Sequence, residues 1–184
     1  LLKKGEPKFP GEIVAAGTLS MVPALHREFA APEANSKTTH RRLKLGEWIV
    51  DPRNPLTARV FVNRLWQHHF GQGLVRTPDN YGFTGQKPTH PELLDWLADE
   101  LIRGRWSAKH IHRLMLTSRV YQQSSNPPHY DAYAKRDFGN RLWWRAERRR
   151  MDAEALRDAM LVASGQIDLR QGGPSFKPAI SAEA

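Results

Sequence analysis

The sequence predicts a mainly α fold: an irregular helical domain with a central buried helix, an antiparallel helical hairpin and long loops. Three observations carry this. Apolar residues recur at helical spacing in five stretches, and only two short pieces, residues 12–14 and 19–22, read as extended. Helix punctuation stands at the ends of those stretches, with Asn54-Pro55 and Ser107 at starts and Gly71, Gly104 and Gly165 at stops. The chain has 184 residues and no cysteine. A chain of this length buries roughly 70% of its unfolded surface and needs no disulfide or metal staple.

Residues 1–37 read as an irregular N-terminal segment or linker, because Pro7, Pro10, Pro23 and Pro32 alternate with Gly5, Gly11 and Gly17. Residues 38–184 form the helical domain. Its first helix spans 41–50 and stops at Asp51-Pro52-Arg53-Asn54-Pro55, since residues before proline avoid the α region. Asn54 as N-cap and Pro55 in the first turn predict a second helix over 55–70, closed by Gly71 in a left-handed conformation. Ala58, Phe61, Val62, Leu65 and Trp66 share one face of it, with Leu56, Val60 and Phe70 on other sides, so this helix is expected at the centre of the domain. Residues 71–88 hold four glycines and two prolines and read as a loop. Thr89-His90-Pro91-Glu92 has capping-box spacing and opens a helix that buries Leu93, Leu94, Leu97, Leu101 and Ile102 and ends near Gly104. Ser107 opens the next, running to about Arg119 with Ile111, Leu114, Met115 and Ser118 inward; the short link makes the pair an antiparallel hairpin. Residues 122–136 read as loop, 151–164 as a final helix closed by Gly165, and 171–174 as loop, with an aperiodic tail to Ala184.

The formal charge is +9, and its distribution matters more than its size. Residues 101–150 carry 12 Lys and Arg against 3 Asp and Glu, so the whole excess lies there. Part of it sits on the second hairpin helix (Lys109, Arg113, Arg119), whose partner carries Glu92, Asp95, Asp99 and Glu100. The rest is the segment from Lys135 to Arg150, where Arg141, Arg145, Arg148, Arg149 and Arg150 surround Trp143 and Trp144. Arginine stacked on tryptophan or paired with Glu147, Asp152 and Glu154 is one reading; a surface for phosphate, sulfate or carboxylate groups is the other. Nucleic acid is disfavoured as the partner, because no recognition helix or RNA-module signature accompanies the cluster.

Arg59, Asn63 and Gln67 recur at i, i+4 and i+8 on the central helix, with Arg64 beside them. This polar row is either a hydrogen-bonded structural network or a ligand-facing strip. Asp79 lies in the glycine-rich loop, a place open to a catalytic acid and equally to any surface aspartate. His68 and His69 diverge by about 100° on a helix, as do His110 and His112 at i,i+2, so neither pair clasps a metal, and His69 reads as a core histidine. No Walker, dinucleotide or nucleophile-elbow motif occurs. No metal, and no cofactor, is assigned to this fragment. No apolar run approaches a membrane span.

Several blocks occur together and in order: Asn54-Pro55-Leu56-Thr57-Ala58-Arg59-Val60, Val62-Asn63-Arg64-Leu65-Trp66-Gln67-His68-His69-Phe70-Gly71, Pro88-Thr89-His90-Pro91-Glu92-Leu93-Leu94-Asp95-Trp96-Leu97, Leu116-Thr117-Ser118-Arg119-Val120-Tyr121-Gln122-Gln123-Ser124-Ser125, Asn140-Arg141-Leu142-Trp143-Trp144-Arg145, Arg148-Arg149-Arg150-Met151-Asp152-Ala153-Glu154-Ala155 and Gly172-Gly173-Pro174-Ser175-Phe176. Over residues 41–176 the chain resembles the planctomycete-type domain of unknown function found C-terminal to cytochrome-c-like modules in large exported bacterial proteins. The resemblance implies an extracytoplasmic home, in the periplasm or at the cell surface, and neighbouring domains of the parent protein as partners. Haem is implied only elsewhere in the parent, and the chain reads as truncated before the family's last helix. No catalytic residue is implied. The leading expectation is a non-catalytic organising module or one that contacts an anionic polysaccharide. A polysaccharide-processing hydrolase or redox-partner domain is the alternative, with its site where residues 71–88 meet Arg59, Asn63 and Arg64.

Overall fold

The structure, a computed structural model, describes residues 5–30, 32 and 35–173. The predicted loop at Pro174 and the tail lie outside the described residues. The chain divides into two compact units, residues 1–147 and 148–184. The first contains a 3-10 turn (Pro23–Leu25) and helices α1 (Arg41–Ile49), α2 (Thr57–Phe70), α3 (Pro91–Arg103), α4 (Ala108–Leu116) and α5 (Tyr130–Arg136); the second contains α6 (Ala153–Ala163). Among the described residues there is no strand; Gly17 and Glu28 form an isolated antiparallel bridge. The fold is mainly α.

The core is made by α2, α3 and α4, which all pack on one another. From α2 come Ala58, Val62, Trp66 and Phe70, from α3 Leu94, Leu97, Ala98 and Leu101, and from α4 Ile111 and Met115. Leu97, Leu101 and Ile111 are essentially fully buried, and each such side chain contributes about 2 kcal/mol relative to exposure. Phe70 stacks on Trp66 with ring centroids 4.0 Å apart, and Trp143 meets both edge-on at 5.4 and 5.7 Å. The central position of α2 agrees with its apolar composition, but Phe61, expected on the buried face, is exposed. The buried stripe runs 58, 62, 66, 70, a spacing of four that drifts away from 61 along the helix.

Local chemistry explains where helices start and stop. Asn54 does not cap α2, which begins two residues later than expected, at Thr57. Its buried carboxamide instead accepts from the Leu56 amide (3.0 Å) and donates to the Trp48 carbonyl (3.0 Å), closing the turn between α1 and α2. Asp51 seals the same turn. Its carboxylate accepts from the Arg53 amide and guanidinium (2.8–3.0 Å), and the Arg53 side-chain bond holds its pKa down at about 2. Gly71 ends α2 at φ +89°, as the sequence predicts. The capping box at Thr89 does not form: the Thr89 amide and hydroxyl both turn back to the Leu74 carbonyl (2.9 and 3.4 Å), and His90 precedes α3 without a side-chain cap. The hairpin reversal falls on Arg105 and Trp106, both at positive φ, with the Trp106 amide bonded to the Leu101 carbonyl at 2.8 Å. Ser107 caps α4 through the His110 amide. That helix stops at Leu116, three residues early, because the Thr117 and Ser118 hydroxyls donate to the Arg113 (2.8 Å) and Met115 (2.6 Å) carbonyls and favour a turn.

Residues 130–136, expected as loop, form the short helix α5, which buries no residue and so has no apolar period to betray it. Residues 12–14 and 19–22, expected as extended, pair in no ladder; 19–22 lie in a turn leading to Pro23–Leu25. In the second unit α6 starts at Ala153, with Asp152 accepting from the Ala155 amide at 2.7 Å. Pairing of Arg148 with Asp152 and of Arg150 with Glu154 at i,i+4 requires a helix that starts earlier, and Arg148 and Arg150 precede this one.

Candidate functional site

Two places contain the residues singled out from the sequence. The first is the polar row on α2. Arg59 donates through Nε to the Asp95 carboxylate (2.7 Å) on α3 and through Nη1 to the Pro55 carbonyl (2.7 Å). This hydrogen bond keeps the Asp95 carboxyl below its ordinary pKa. Asn63 is fully buried, and its carboxamide acts as a surrogate peptide: Oδ1 accepts from the Val75 amide and Nδ2 donates to the Val75 carbonyl, both at 2.9 Å. Gly73 makes room for it, since a Cβ there would come within 2.5 Å of the Val75 carbonyl oxygen and 2.7 Å of the Asn63 amide. Arg64 pairs with Asp79 in the glycine-rich loop. Gln67, one turn on, is half-buried and takes part in none of these bonds. The row therefore clamps the 71–88 loop and α3 to the central helix, and Asp79 is an ion-pair partner of that clamp.

Beside the clamp lies a cleft of about 380 Å³. Arg59 of α2, Leu94 and Asp95 of α3, and Val75, Tyr81, Phe83, Gln86 and Lys87 of the 71–88 loop line it. Asn63 and Arg64 are not among its lining residues. Tyr81 and Phe83 carried no signal in the sequence beyond their place among glycines.

The second place is the arginine–tryptophan segment, which the structure divides. Trp143 belongs to the hydrophobic core rather than to a surface. Trp144 donates from Nε1 to the Asp137 carbonyl (2.9 Å) and packs between Tyr130 and Tyr133 of α5, at 5.2 and 5.5 Å. Arg145 lies over the Trp144 and Tyr130 rings and bonds Glu147 at 2.9 Å, so its side chain is largely covered. Asn140, buried at φ +49°, bonds the Arg145 backbone and anchors the whole turn. Asp137 accepts from the backbone amides of Arg141 (2.9 Å) and Leu142 (2.7 Å). The Arg141 side chain is exposed. Arg148, Arg149 and Arg150 belong to the second unit, ahead of α6.

With this geometry in hand, residues 41–184 match the model of the PSD1 family, described as a protein of unknown function (DUF1553). The chain belongs to the PSD1 family. No curated protein and no solved structure matches it. The matched span begins at the first residue of α1 and includes both places described above, so each is built by the PSD1 domain itself rather than by the segment before it.

The PSD1 domain's histidines behave in different ways. His110 pairs with Glu100 across the hairpin at 3.0 Å, one contact between α4 and the acidic α3. His69 is half-buried and its Nε2 lies 2.6 Å from Nδ1 of His112, with the Tyr121 ring edge-on to His69. Among the described residues no three His, Asp or Glu side chains converge on a point where a metal ion would be held, and no described helix is long and apolar enough to cross a membrane.

Proposed function

We propose that this PSD1 domain is a non-catalytic organising module of an exported multidomain protein, and that it contacts an anionic polysaccharide through the surface built by α5 and the turn after it. The observation that carries this reading is the composition of that surface. Tyr133, Phe138 and Leu142 are exposed beside Lys135, Arg136 and Arg141, while the carboxylate of Asp137 is occupied by two backbone amides. Three cations then stand against Asp131 alone, next to rings that offer flat apolar faces to a sugar. The family resemblance is the support for an extracytoplasmic location, for neighbouring domains as partners and for haem, where the parent carries it, outside this domain. The hydrolase or redox reading has less support, because two of the residues it would use, Asn63 and Arg64, are engaged with Val75 and Asp79.

The test is retention on sulfated and uronate polysaccharides over a salt gradient. Binding should weaken as salt screens the cations. Arg136→Ala with Arg141→Ala should reduce affinity about tenfold, equivalent to about 1.4 kcal/mol. Lys8→Ala, which removes a charge from the N-terminal segment, should change it little. Retention indifferent to salt and to the Arg pair would overturn the reading.

A further inference from the structure

The loop over the cleft is held more firmly than its glycines suggest. The Thr77 hydroxyl donates to the Asn80 carbonyl (2.9 Å) and accepts from the Gln86 amide (3.0 Å); Asn80 donates to the Thr84 hydroxyl (3.0 Å) and accepts from the Gly82 amide (3.0 Å). Backbone bonds from Asn80 to Thr77 and from Gly85 to Gly82 complete it. A Cβ on Gly85 would lie 2.1 Å from the Asn80 carbonyl oxygen, so the two limbs touch there. At the tip of this cross-bonded loop stands Phe83, fully exposed. A fixed loop that holds a phenyl ring in water gives up the burial a phenylalanine would otherwise bring to folding, and functional side chains are commonly displayed in this way.

The rest of the cleft suits a ring with a negative group. Val75 and Leu94 give an apolar wall, Lys87 and Arg59 supply two cations against the single carboxylate of Asp95, and Arg59 is fixed in place by Asp95 and Pro55. The Tyr81 hydroxyl is shut off from solvent; the Asn63 amide approaches it without hydrogen-bond geometry, leaving a buried donor with no partner among the described residues. Buried polar groups are normally satisfied. A volume near 380 Å³ accommodates one ring-sized molecule.

We propose that this cleft binds a carboxylate carried on a six-membered ring, the ring lying against Phe83 and the Val75–Leu94 wall and the carboxylate meeting Lys87 and Arg59. Two sources share that chemistry: a uronic-acid unit of a polysaccharide and a small aromatic acid. The site is separate from the α5 surface and does not depend on it.

The experiment is an amide-resolved NMR titration of the full chain with a galacturonate oligomer, with benzoate, and with the methyl ester of each. A saturable shift of the Gly82 and Gly85 amides is expected with one acid, and which acid does so identifies the source. The matching ester should bind about tenfold more weakly, and Phe83→Ala and Lys87→Ala should each lower affinity about tenfold without moving the melting temperature, since both side chains are exposed. No saturable shift at the loop with either acid up to about 10 mM, or affinity unchanged in Phe83→Ala, would overturn the proposal. Arg136→Ala with Arg141→Ala should leave this titration unaltered even where it abolishes polysaccharide retention, so the two ideas fail separately.

Discussion

Replacing Asn63 by alanine would leave the Val75 amide and carbonyl without partners in a fully buried position. Each orphaned group costs about 1–3 kcal/mol, so Asn63→Ala should destabilise the fold by about 3 kcal/mol, lowering the midpoint by roughly 6–12 °C in a thermal melt. Gln67→Ala, on the same row but outside the clamp, should cost under about 1 kcal/mol. The row itself was legible from its i, i+4, i+8 spacing. Its partners were not, because Val75, Asp79 and Asp95 lie 12 to 36 residues away and nothing local marks them. Tyr81 gives a second expectation. Burial pushes its phenol up to about 12 from the ordinary 10.0. The folded state therefore holds its proton more tightly than the unfolded chain. Stability from this group is intact below pH 10 and is lost as pH rises from about 10 to about 12. A phenolate absorbance titration should show one of the four tyrosines ionising later than the others, and Tyr81→Phe should abolish that late step.

At the scale of elements, start and stop residues were read correctly where one side chain serves one helix end and incorrectly where it serves a turn. Ser107, Gly71 and Gly165 act as expected, Ser107 through the His110 amide and the glycines at positive φ. Asn54 and Thr89 have equally good capping chemistry, but each finds a tertiary carbonyl instead, Trp48 and Leu74. Sequence spacing does not reveal that competition. Helix α5 has no buried face and so lacks the apolar period that marks a helix in sequence. Ser107→Ala should accordingly cost about 1 kcal/mol, the usual worth of an N-cap. Thr89→Ala should cost less than half as much, since the Thr89 amide keeps its 2.9 Å bond to Leu74. Urea melts of the two variants decide it; an equal loss in both would restore the capping-box reading.

For the molecule as a whole, the net charge of +9 and the three-helix core have separate origins. The core was legible because α2, α3 and α4 each present a periodic apolar stripe, and the charge excess was correctly assigned to one segment. What composition concealed is that this segment is not uniform: Trp143 is core and Arg145 is stacked and paired, while Lys135, Arg136, Arg141, Arg148, Arg149 and Arg150 are exposed. Every residue of the hydrophobic cluster lies between Ala58 and Trp143, within the first compact unit. A chain ending at Glu147 keeps that cluster, the Asn140 turn and the Arg145–Glu147 pair. It should therefore fold cooperatively, with a melting temperature within about 4 °C of the full chain, a shift equivalent to about 1 kcal/mol. Trp143→Ala in the full chain removes the ring that meets Trp66 and Phe70 edge-on, and should cost about 3–5 kcal/mol through the cavity it leaves. Far-ultraviolet and near-ultraviolet circular dichroism melts of the two proteins separate the cases. Loss of cooperative unfolding in the shortened chain would place part of the fold's stability beyond Glu147, whereas a full-length Trp143→Ala protein that melts like the parent would remove Trp143 from the core.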